Sequence, residues 1–440
     1  QALHLADLDP DVFPARLRVL QVIRQLGEDV IEFLDQMEQV QCRLFEKKKF
    51  VLRTDYLCTV QHVPRDLWPE VLANEAQRAE WQRLFATEGP VDEAFLETHP
   101  TLVVNTAHFD EGFTLRLLAA FDDIDEATDG LLVHGENYQA LHLLQERYRG
   151  QVKCIYIDPP YNTGSDEFIY KDRYQHSSWL AMVAERLRCS LGFLTDQTGV
   201  TFINIDDNEL VHVCHLVSSL LVSMETLVWN KAHKRYGKMK NTSTMRGEHD
   251  YVVAGYFGSP ALNRVPVFPR FSQKPKTDGR GRYYTGYIAR GEQGSNPDHE
   301  NYYTVTSPSG QTFSAQFSVP RGEFERLDRD NRIHWTDAGI PYSKIYLHEP
   351  RYVRLSSVLN LEKATTYDAN KEFAALSTAF AAVVNKLNPK PTKLVATLLH
   401  AGSCQGDTIA DFFAGSGTTG HAVINLNRED GGRRRFLLVE

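Results

Sequence analysis

The sequence predicts an α/β protein whose core is a doubly wound, Rossmann-like sheet of seven strands in circularly permuted order. Two observations carry this prediction. From Gly130 onwards, short apolar strands alternate with amphipathic helices, which is the pattern of βαβ units in parallel sheets. Near the end of the sequence, the glycine-rich stretch GSGTTG follows a strand and opens a helix. A helical N-terminal domain and a β-rich insertion complete the predicted architecture.

The overall composition is that of an ordinary globular protein. The 440 residues are 42% hydrophobic and 24% charged, and the chain is long enough for two or three domains. No apolar run is long enough to span a membrane, and the first residues lack the pattern of a signal peptide, so we expect a cytoplasmic protein. The six cysteines are scattered and no histidine pair has metal-binding spacing, so no metal site is predicted.

Changes in composition and in hydrophobic periodicity divide the chain into four predicted domains. These are a helical N-terminal domain (1–125), two halves of the α/β core (126–258 and 386–440) and the insertion between them (259–385). Apolar residues in the first domain recur every three or four positions, as in amphipathic helices, and no catalytic constellation is visible there. The insertion is rich in aromatic residues, glycine and arginine, with short alternating runs that predict strands and long loops.

The two halves of the core contain the elements of one sheet. The predicted strands are, in chain order, GLLVHGEN, VKCIYID, TGVTFINID, TLVWN, HDYVVAGYF, DTIADFF and RRFLLVE. The predicted helices between them are YQALHLLQERYRG, HSSWLAMVAERLRCSLGFL, NELVHVCHLVSSLL, LNPKPTKLVATLLHAG and the helix that the glycine turn opens.

The glycine turn predicts a nucleotide-type cofactor. Gly415, Gly417 and Gly420 have the spacing G-x-G-x-x-G, and Glu440 follows at the end of the next strand, where an acid can accept ribose hydroxyls. A plain glycine turn at a helix start is the structural alternative. A phosphate-binding P-loop is excluded because His421 and not lysine follows the last glycine. A nicotinamide cofactor is not excluded by the turn alone.

The order of the elements predicts the permutation. The sequence ends at the acid-bearing strand, so we expect the first two strands of the doubly wound sheet to come last in the chain. In such sheets the first and fourth strands are neighbours at the switch point where ligands bind. Asp158 and Phe413 would then line one crevice.

The stretch CIYIDPPYNTG ends a buried strand on an acid and continues with two prolines and a tyrosine. Because proline fixes the backbone, the stretch is compatible with a simple turn. It is also compatible with a rigid platform that presents the Asp158 carboxylate, the Pro159 carbonyl and the Tyr161 ring to a substrate. At the end of the next strand, Asp206 and Asp207 suit either substrate contact or loop capping.

Together these motifs resemble the β class of S-adenosylmethionine-dependent DNA amino-methyltransferases, in which D-P-P-Y precedes F-x-G-x-G. Here the motifs are Asp158-Pro-Pro-Tyr161 and Phe413-Ala-Gly415-Ser-Gly417. More narrowly, the chain resembles the modification subunits of type III restriction systems over about 130–258 and 386–440. The supporting stretches are HGENYQAL, YIDPPYNTGSDEFIYKDRY, SSWLAMVAERL, FINIDDNE, NPKP and DFFAGSGTTGHAV.

The resemblance implies S-adenosylmethionine as the cofactor and assigns roles to residues. The implied catalytic residues are Asp158, Pro159, Pro160 and Tyr161. The implied cofactor-binding residues are Glu136, Asp158, Asn388, Lys390, Asp411, Phe413, Gly415, Gly417, Thr418 and Glu440. Glu440 would bind the ribose, Asn388 and Lys390 would close the methionine side, and Glu136 would lie near the adenine. For Glu136 a strand-end turn is an equal alternative.

An exocyclic amine is a poor nucleophile because its lone pair is delocalised into the ring. Asp158 and the Pro159 carbonyl could each accept one N–H of the amine, and Tyr161 could stack on a base flipped out of the duplex. Adenine N6 is the favoured target and cytosine N4 the alternative. A non-catalytic DNA-recognition subunit is the alternative from another class.

The predicted partner is double-stranded DNA. The resemblance also implies a second copy of the chain, and it is compatible with a restriction subunit as a further partner. Net charge is −9, but one run of 16 residues holds six cations and no acid. The predicted DNA contacts are Lys231, Lys234, Arg235, Lys238, Lys240 and Arg246 in this run, and Arg280 and Arg282 in the insertion. The insertion is therefore the expected target-recognition domain, in which Tyr283, Tyr284 and Arg290 are further candidates.

Overall fold

The structure, a computed structural model, describes most of the chain. The described residues are 13–45, 51–163, 174–232, 247–259, 262–269, 274–291, 294–376 and 388–440, without 86, 88 and 196. They belong to two compact units, Gln1–Ala261 together with Ser357–Glu440, and Leu262–Ser356.

The N-terminal part of the larger unit is mostly helical. Its elements are α1 (Phe13–Phe45), β1 (Leu57–Thr59), α2 (Trp68–Ala73), α3 (Glu75–Phe85), α4 (Glu93–Thr98), β2 (Val103–Asn105), α5 (Glu111–Leu118) and α6 (Ile124–Ala127). The sequence predicted a mostly helical segment and did not indicate β1 and β2, which pair antiparallel. They are three residues each, too short to show an alternating pattern. Trp81, Leu96 and Phe113 are among the buried residues of the core that forms here.

An eight-stranded sheet forms the centre of the larger unit. In spatial order its strands are β16 (Val358–Leu359), β6 (Ser223–Asn230), β7 (His249–Tyr256), β5 (Val200–Ile205), β4 (Val152–Ile157), β17 (Thr408–Asp411), β18 (Arg435–Val439) and β3 (Gly130–Val133). Only β7 runs against the others. Seven strands were predicted, and the eighth is β16. The prediction missed it because it has only two residues and lies within the range assigned to the insertion. It nevertheless belongs to the central sheet, where it pairs with β6.

Helices cover both faces of this sheet. They are α7 (Asn137–Tyr148), α8 (His176–Leu191), α9 (Leu210–Leu220), α12 (Thr392–Gly402) and α13 (Thr418–Asp430), while α11 (Thr366–Leu376) follows β16 along the chain. Ile155 and Ile203 share a buried cluster with residues of α7, α8 and α9. The alternate residues Cys154 and Phe202 point to the opposite face, where a Cβ on Gly402 of α12 would come within 3.1 Å of them. The α/β prediction with a large parallel sheet is therefore confirmed.

The candidate site lies at the carboxyl ends of three central strands of this sheet. Because β4, β17 and β18 are parallel neighbours, their carboxyl ends lie side by side. Asp158 follows β4 directly, Asp411 ends β17, and Glu440 follows β18.

The smaller unit is rich in short antiparallel strands. Its elements are β8 (Val265–Val267), β9 (Lys276–Asp278), β10 (Gly281–Tyr287), β11 (Tyr302–Thr306), β12 (Thr312–Gln316), α10 (Arg321–Arg329), β13 (Ile333–Trp335), β14 (Pro341–Tyr346) and β15 (Arg351–Val353). Strands β13, β14, β10 and β9 form a four-stranded sheet, while β11 pairs with β12 and β15 with β8. Its buried core includes stacked Tyr303 and Phe317 rings, 4.2 Å apart, and Phe324.

Among the helices that the structure describes, none combines the length and the apolar character needed to cross a bilayer.

Candidate active site

The D-P-P-Y stretch is held from outside the loop by a buried tryptophan. Strand β4 ends at Ile157, and Asp158, Pro159, Pro160 and Tyr161 follow without regular structure. Trp179 of α8 is fully buried and its Nε1–H donates a hydrogen bond of 2.7 Å to the Pro160 carbonyl. The two proline rings and this bond fix the peptide planes next to the Pro159 carbonyl.

Asn162 fixes the end of the same stretch. Its backbone has a φ of 59°, in the left-handed region that asparagine tolerates better than most residues. Its side chain amide donates to the Tyr174 carbonyl (2.9 Å), and its oxygen accepts from the Tyr174 N–H (2.7 Å). The same amide donates to Glu209 Oε1 at 2.7 Å, and the Glu209 side chain is completely buried. A buried carboxylate thus anchors the residue that follows Tyr161.

The glycine turn runs from β17 into α13. Gly415 and Gly417 have φ values of 51° and 74°, which favour glycine, and Gly417 caps the start of α13. The Gly415 N–H donates to Glu440 Oε2 at 2.7 Å, and the Ala414 N–H donates to the Val439 carbonyl. The turn and Glu440 are therefore one structural piece.

One cavity joins the two motifs. It is lined by Tyr156, Asp158, Pro159, Pro160, Tyr161, Asn388, Lys390, Asp411, Phe413, Ala414, Gly415, Ser416, Thr418, Thr419 and Glu440. The crevice predicted from the order of strands thus contains both Asp158 and Phe413. Four of the lining residues, Tyr156, Ala414, Ser416 and Thr419, were not predicted. Tyr156 could have been found, because it precedes Asp158 by two positions and so shares its face of the strand.

Among the described residues that line the cavity, Lys390 is the one with a cationic side chain. Its Nζ donates to Asp158 Oδ2 at 2.7 Å and lies 4.7 Å from the centre of the Tyr161 ring. The Lys390 side chain is almost completely buried, so this ion pair is poorly screened by solvent. The other carboxylate oxygen, Oδ1, is buried and has no well-formed hydrogen bond to the described residues. Burial, and after it the charge of Asp158, holds the pKa of Tyr161 well above its usual range.

Asp411 is a second, deeper carboxylate of the lining. It accepts hydrogen bonds from the Phe413 N–H (3.0 Å) and from the Thr419 hydroxyl. Burial raises the pKa of Asp411 to about 7, although both hydrogen bonds act in the opposite direction. The negative charge of Asp158 adds to the rise. At neutral pH the Asp411 carboxyl is therefore protonated in a part of the protein molecules.

Two predicted cofactor residues are not in the cavity lining. Gly417 lies at the base of the turn, next to Thr418 of the lining. Glu136 caps the start of α7, accepts the Gln139 N–H at 3.1 Å and forms an ion pair with Arg186. Its position is that of a helix cap, whereas the predicted alternative to a cofactor contact was a turn at the end of a strand.

The predicted DNA contacts fall into two groups. Lys231 follows β6 and donates to the Asp250 carboxylate at 2.6 Å. Burial raises the pKa of Asp250, and the bond from Lys231 partly offsets this rise. The remaining cations of the run, Lys234, Arg235, Lys238, Lys240 and Arg246, lie outside the described residues.

In the smaller unit, Arg282 lies in β10 and the Arg280 guanidinium is 5.6 Å from the centre of the Tyr346 ring. Of the other candidates there, the Tyr283 hydroxyl is hydrogen-bonded to His334.

Asp206 makes its contacts inside the loop after β5, and Asp207 contacts a residue of strand β7. Asp206 accepts from the backbone and side chain of Asn208, and Asp207 Oδ1 accepts from the Tyr251 hydroxyl at 2.9 Å. These contacts fit loop capping.

A cluster of two histidines and one acid lies behind the D-P-P-Y stretch. The Nδ1 atoms of His176 and His212 are 2.8 and 2.9 Å from the two oxygens of Glu209, and the two rings stack 5.0 Å apart. No metal was predicted, and these three side chains have metal-ligating chemistry. Glu209 Oε1 already accepts the Asn162 amide, so an ion at this oxygen would compete with the anchor of the loop.

Comparison with known proteins identifies the family. Residues 152–438 match the model of a family described as DNA methylase. The chain belongs to this family. The match confirms the resemblance that the D-P-P-Y and F-x-G-x-G motifs indicated, and it confirms the predicted DNA methyltransferase at the level of the family.

Named relatives agree with this membership. The Mod subunit of the type III restriction-modification enzyme StyLTI of Salmonella typhimurium is 30% identical over 70% of this chain and 52% of its own length. The EcoP15I Mod subunit of Escherichia coli is 26% identical over 70% of this chain and 58% of its own. The type II methyltransferase M.KpnI of Klebsiella pneumoniae is 24% identical over 74% of this chain and 84% of its own. The chain spans about half the length of the Mod relatives.

Proposed function

We propose that this chain is a site-specific DNA methyltransferase that uses S-adenosylmethionine to methylate an exocyclic amine of a flipped base. One observation carries the proposal: the D-P-P-Y residues and the glycine turn, more than 250 residues apart in the sequence, line a single cavity. Membership of the DNA methylase family supports the same class of reaction.

The cavity fits a cationic nucleoside cofactor. Its lining contains three carboxylates, Asp158, Asp411 and Glu440, and the ammonium of Lys390 is already paired. A dinucleotide with a pyrophosphate would face these acids, which disfavours a nicotinamide cofactor. When bound, S-adenosylmethionine would supply a methyl group on a positively charged sulfur. The residues that would hold it are Phe413, Gly415, Gly417, Thr418 and Asp411 around the nucleoside, Glu440 at the ribose, and Asn388 and Lys390 at the methionine side. Glu136, at its helix cap, stays a proposed contact of the adenine.

The substrate side of the cavity suits an amine with two protons. Asp158 can accept one N–H, and the Pro159 carbonyl, fixed by its neighbours, can accept the other. Both bonds increase electron density on the nitrogen before the methyl group arrives. Methyl transfer would release S-adenosylhomocysteine and leave the nitrogen positively charged, and its proton would then pass to Asp158, the carboxylate that accepts its N–H. Tyr161 offers a ring for stacking by a flipped base.

Adenine N6 is the favoured target, because in the family that the motifs resemble D-P-P-Y is associated with adenine and S-P-P-Y with cytosine N4. Cytosine N4 stays the alternative, since Asp158 and the Pro159 carbonyl would hold either amine in the same way.

Further parts of the proposal rest on the resemblance. The sheet would be a circularly permuted form of the methyltransferase sheet, with β17 and β18 as its first two strands. The segments 1–125, 126–258, 259–385 and 386–440 would be the N-terminal domain, the catalytic half, the target-recognition domain and the cofactor half. Double-stranded DNA would contact the basic run, Arg280 and Arg282. A second copy of the chain and a restriction subunit would be its protein partners.

Transfer of labelled methyl groups from S-adenosylmethionine to DNA tests the reaction. The wild-type chain should label DNA that contains its site, and Asp158→Ala should abolish labelling while leaving the affinity for S-adenosylhomocysteine within a few-fold. Sequencing of modified bases in DNA from an expressing host would give the amine and the site. No labelling by the wild type, with intact cofactor binding, would favour the recognition subunit instead. Thermal stabilisation by NAD but not by S-adenosylhomocysteine would contradict the cofactor.

A further inference from the structure

Helix α1 carries an apolar stripe with the spacing of a coiled coil. The stripe consists of Val19, Ile23, Leu26, Val30, Phe33 and Met37. These residues follow one another at alternating intervals of four and three positions, which is the a/d pattern of heptad repeats. Such a mean interval of 3.5 residues keeps one helix face towards a partner helix along its whole length.

The stripe has no cover among the described residues. Every residue from 18 to 38 is exposed, and the six stripe side chains are 47–60% exposed. Leu20 and Leu34, on the same side, are also exposed and widen the stripe. A soluble chain rarely leaves so long an apolar surface in water, so the stripe indicates a partner with a matching apolar helix.

The charges of α1 select a second copy of the same helix as that partner. From residue 18 to 27 the helix has two basic residues and no acid, and from 28 to 38 it has five acids and no basic residue. Two parallel copies would place the acidic halves against each other. Two antiparallel copies place the basic half of one helix against the acidic half of the other, which is the complementary arrangement.

The stripe also fits itself in the antiparallel direction. In an antiparallel pair each a residue of one helix faces a d residue of the other. If the crossing is centred on Glu28, Val19 faces Met37, Ile23 faces Phe33, and Leu26 faces Val30, each twice by symmetry. All six stripe residues are then paired in one register.

We propose that α1 is the dimerisation element of this protein and forms an antiparallel coiled coil with α1 of a second copy, centred on Glu28. The proposal concerns association alone and does not depend on the methyltransferase reaction.

Light scattering on the full chain tests the association. The wild type at micromolar concentration should have twice the mass of one chain. The double variant Ile23→Asp, Val30→Asp should have the mass of one chain, with a dimer dissociation constant at least 100-fold weaker. Gln25→Asp, on the side of the helix away from the stripe, is the matched control and should stay dimeric. Circular dichroism should show that the α/β fold is retained in all three.

Two outcomes would overturn the proposal: a monomeric wild type, or a double variant that remains dimeric. If the monomeric wild type binds lipid vesicles through the stripe, α1 is assigned to a membrane surface instead.

Cysteine crosslinking tests the direction. A mixture of Leu26→Cys and Val30→Cys chains should form crosslinked dimers well above the background of the unsubstituted chain, since these positions face each other. Each variant alone should crosslink much less. If Leu26→Cys crosslinks to itself as readily as to Val30→Cys, the helices are parallel and the proposed geometry is wrong.

Discussion

Asp411 should make the stability of this protein fall as pH rises from about 4 towards neutrality. The pKa of the buried carboxyl is about 7 in the folded chain, against a usual value of 3.8. Because the folded state keeps the proton to higher pH than the unfolded state does, this group favours folding most below the unfolded value. Its contribution is lost as pH rises towards the folded pKa.

The size of the effect follows from the two pKa values. Between pH 5 and pH 8 the wild type should lose about 2–3 kcal/mol of unfolding free energy through Asp411, out of about 4 kcal/mol for the whole shift. Asp411→Asn removes this titration. Its amide oxygen can still accept the Phe413 N–H, and its NH₂ group can donate to the Thr419 hydroxyl, so the local packing is kept.

The assay is urea denaturation of the wild type and Asp411→Asn at several pH values from 5 to 8, with tryptophan fluorescence as the measure of unfolding. Subtracting one from the other cancels the other titrating groups that the two chains share. The stability of the wild type relative to the variant should fall by 2–3 kcal/mol across this range, about the value derived above. A second variant, Thr419→Val, removes a bond that lowers the pKa and should move the fall to higher pH. A difference that does not change with pH would refute the reasoning.

Three other substitutions test contacts away from the reacting atoms. Glu209→Ala should lower kcat about 10- to 100-fold with little change in S-adenosylhomocysteine affinity, because Asn162 loses its anchor. Glu209→Gln keeps an oxygen for the Asn162 amide and should retain most of the rate, so equal losses in the two variants would contradict this. Lys231→Met should lower stability by about 1–2 kcal/mol in denaturation assays, because Asp250 is left buried without its partner; an unchanged denaturation midpoint would contradict this. Gly402→Ala should cost about 1–3 kcal/mol, because its Cβ meets Val200, Phe202 and Cys154; an unchanged midpoint would mean that β4 and β5 adjust.

The parts of the fold that the sequence predicted are those with a strong local pattern. The long strands of the core alternate or run continuously apolar, and β4 and β5 are each followed by a helix of clear period. Strand β16 has two residues and is defined only by its partner β6, so no local pattern indicates it. The same holds for β1 and β2, which pair across more than 40 residues of chain.

The candidate site divides in the same way. Asp158, Tyr161 and the glycine turn belong to motifs whose chemistry can be read from neighbouring residues. The part played by Glu209 could not be read, because a buried carboxylate and a loop acid look alike in a sequence until the partner, here Asn162, is known. For Lys231 the sequence did indicate a contact, but a different one from the contact seen in the structure. Its place in a basic run predicted a phosphate contact, and its bond to Asp250 across the β6–β7 pair is visible only in the fold.

The Lys390 ammonium occupies the position that a substrate amine would take. It donates to the Asp158 carboxylate and lies over the Tyr161 ring, which are the two contacts proposed for the flipped base. A base bound through Asp158 Oδ2 and the Tyr161 ring would therefore displace the Lys390 ammonium, and a neutral amine would replace a charged one. The Lys390 carbonyl also accepts a hydrogen bond from Thr418 of the glycine turn. If the proposed base binds there, Lys390 would compete with it for Asp158, and the bond to Thr418 would couple displacement of Lys390 to the glycine turn.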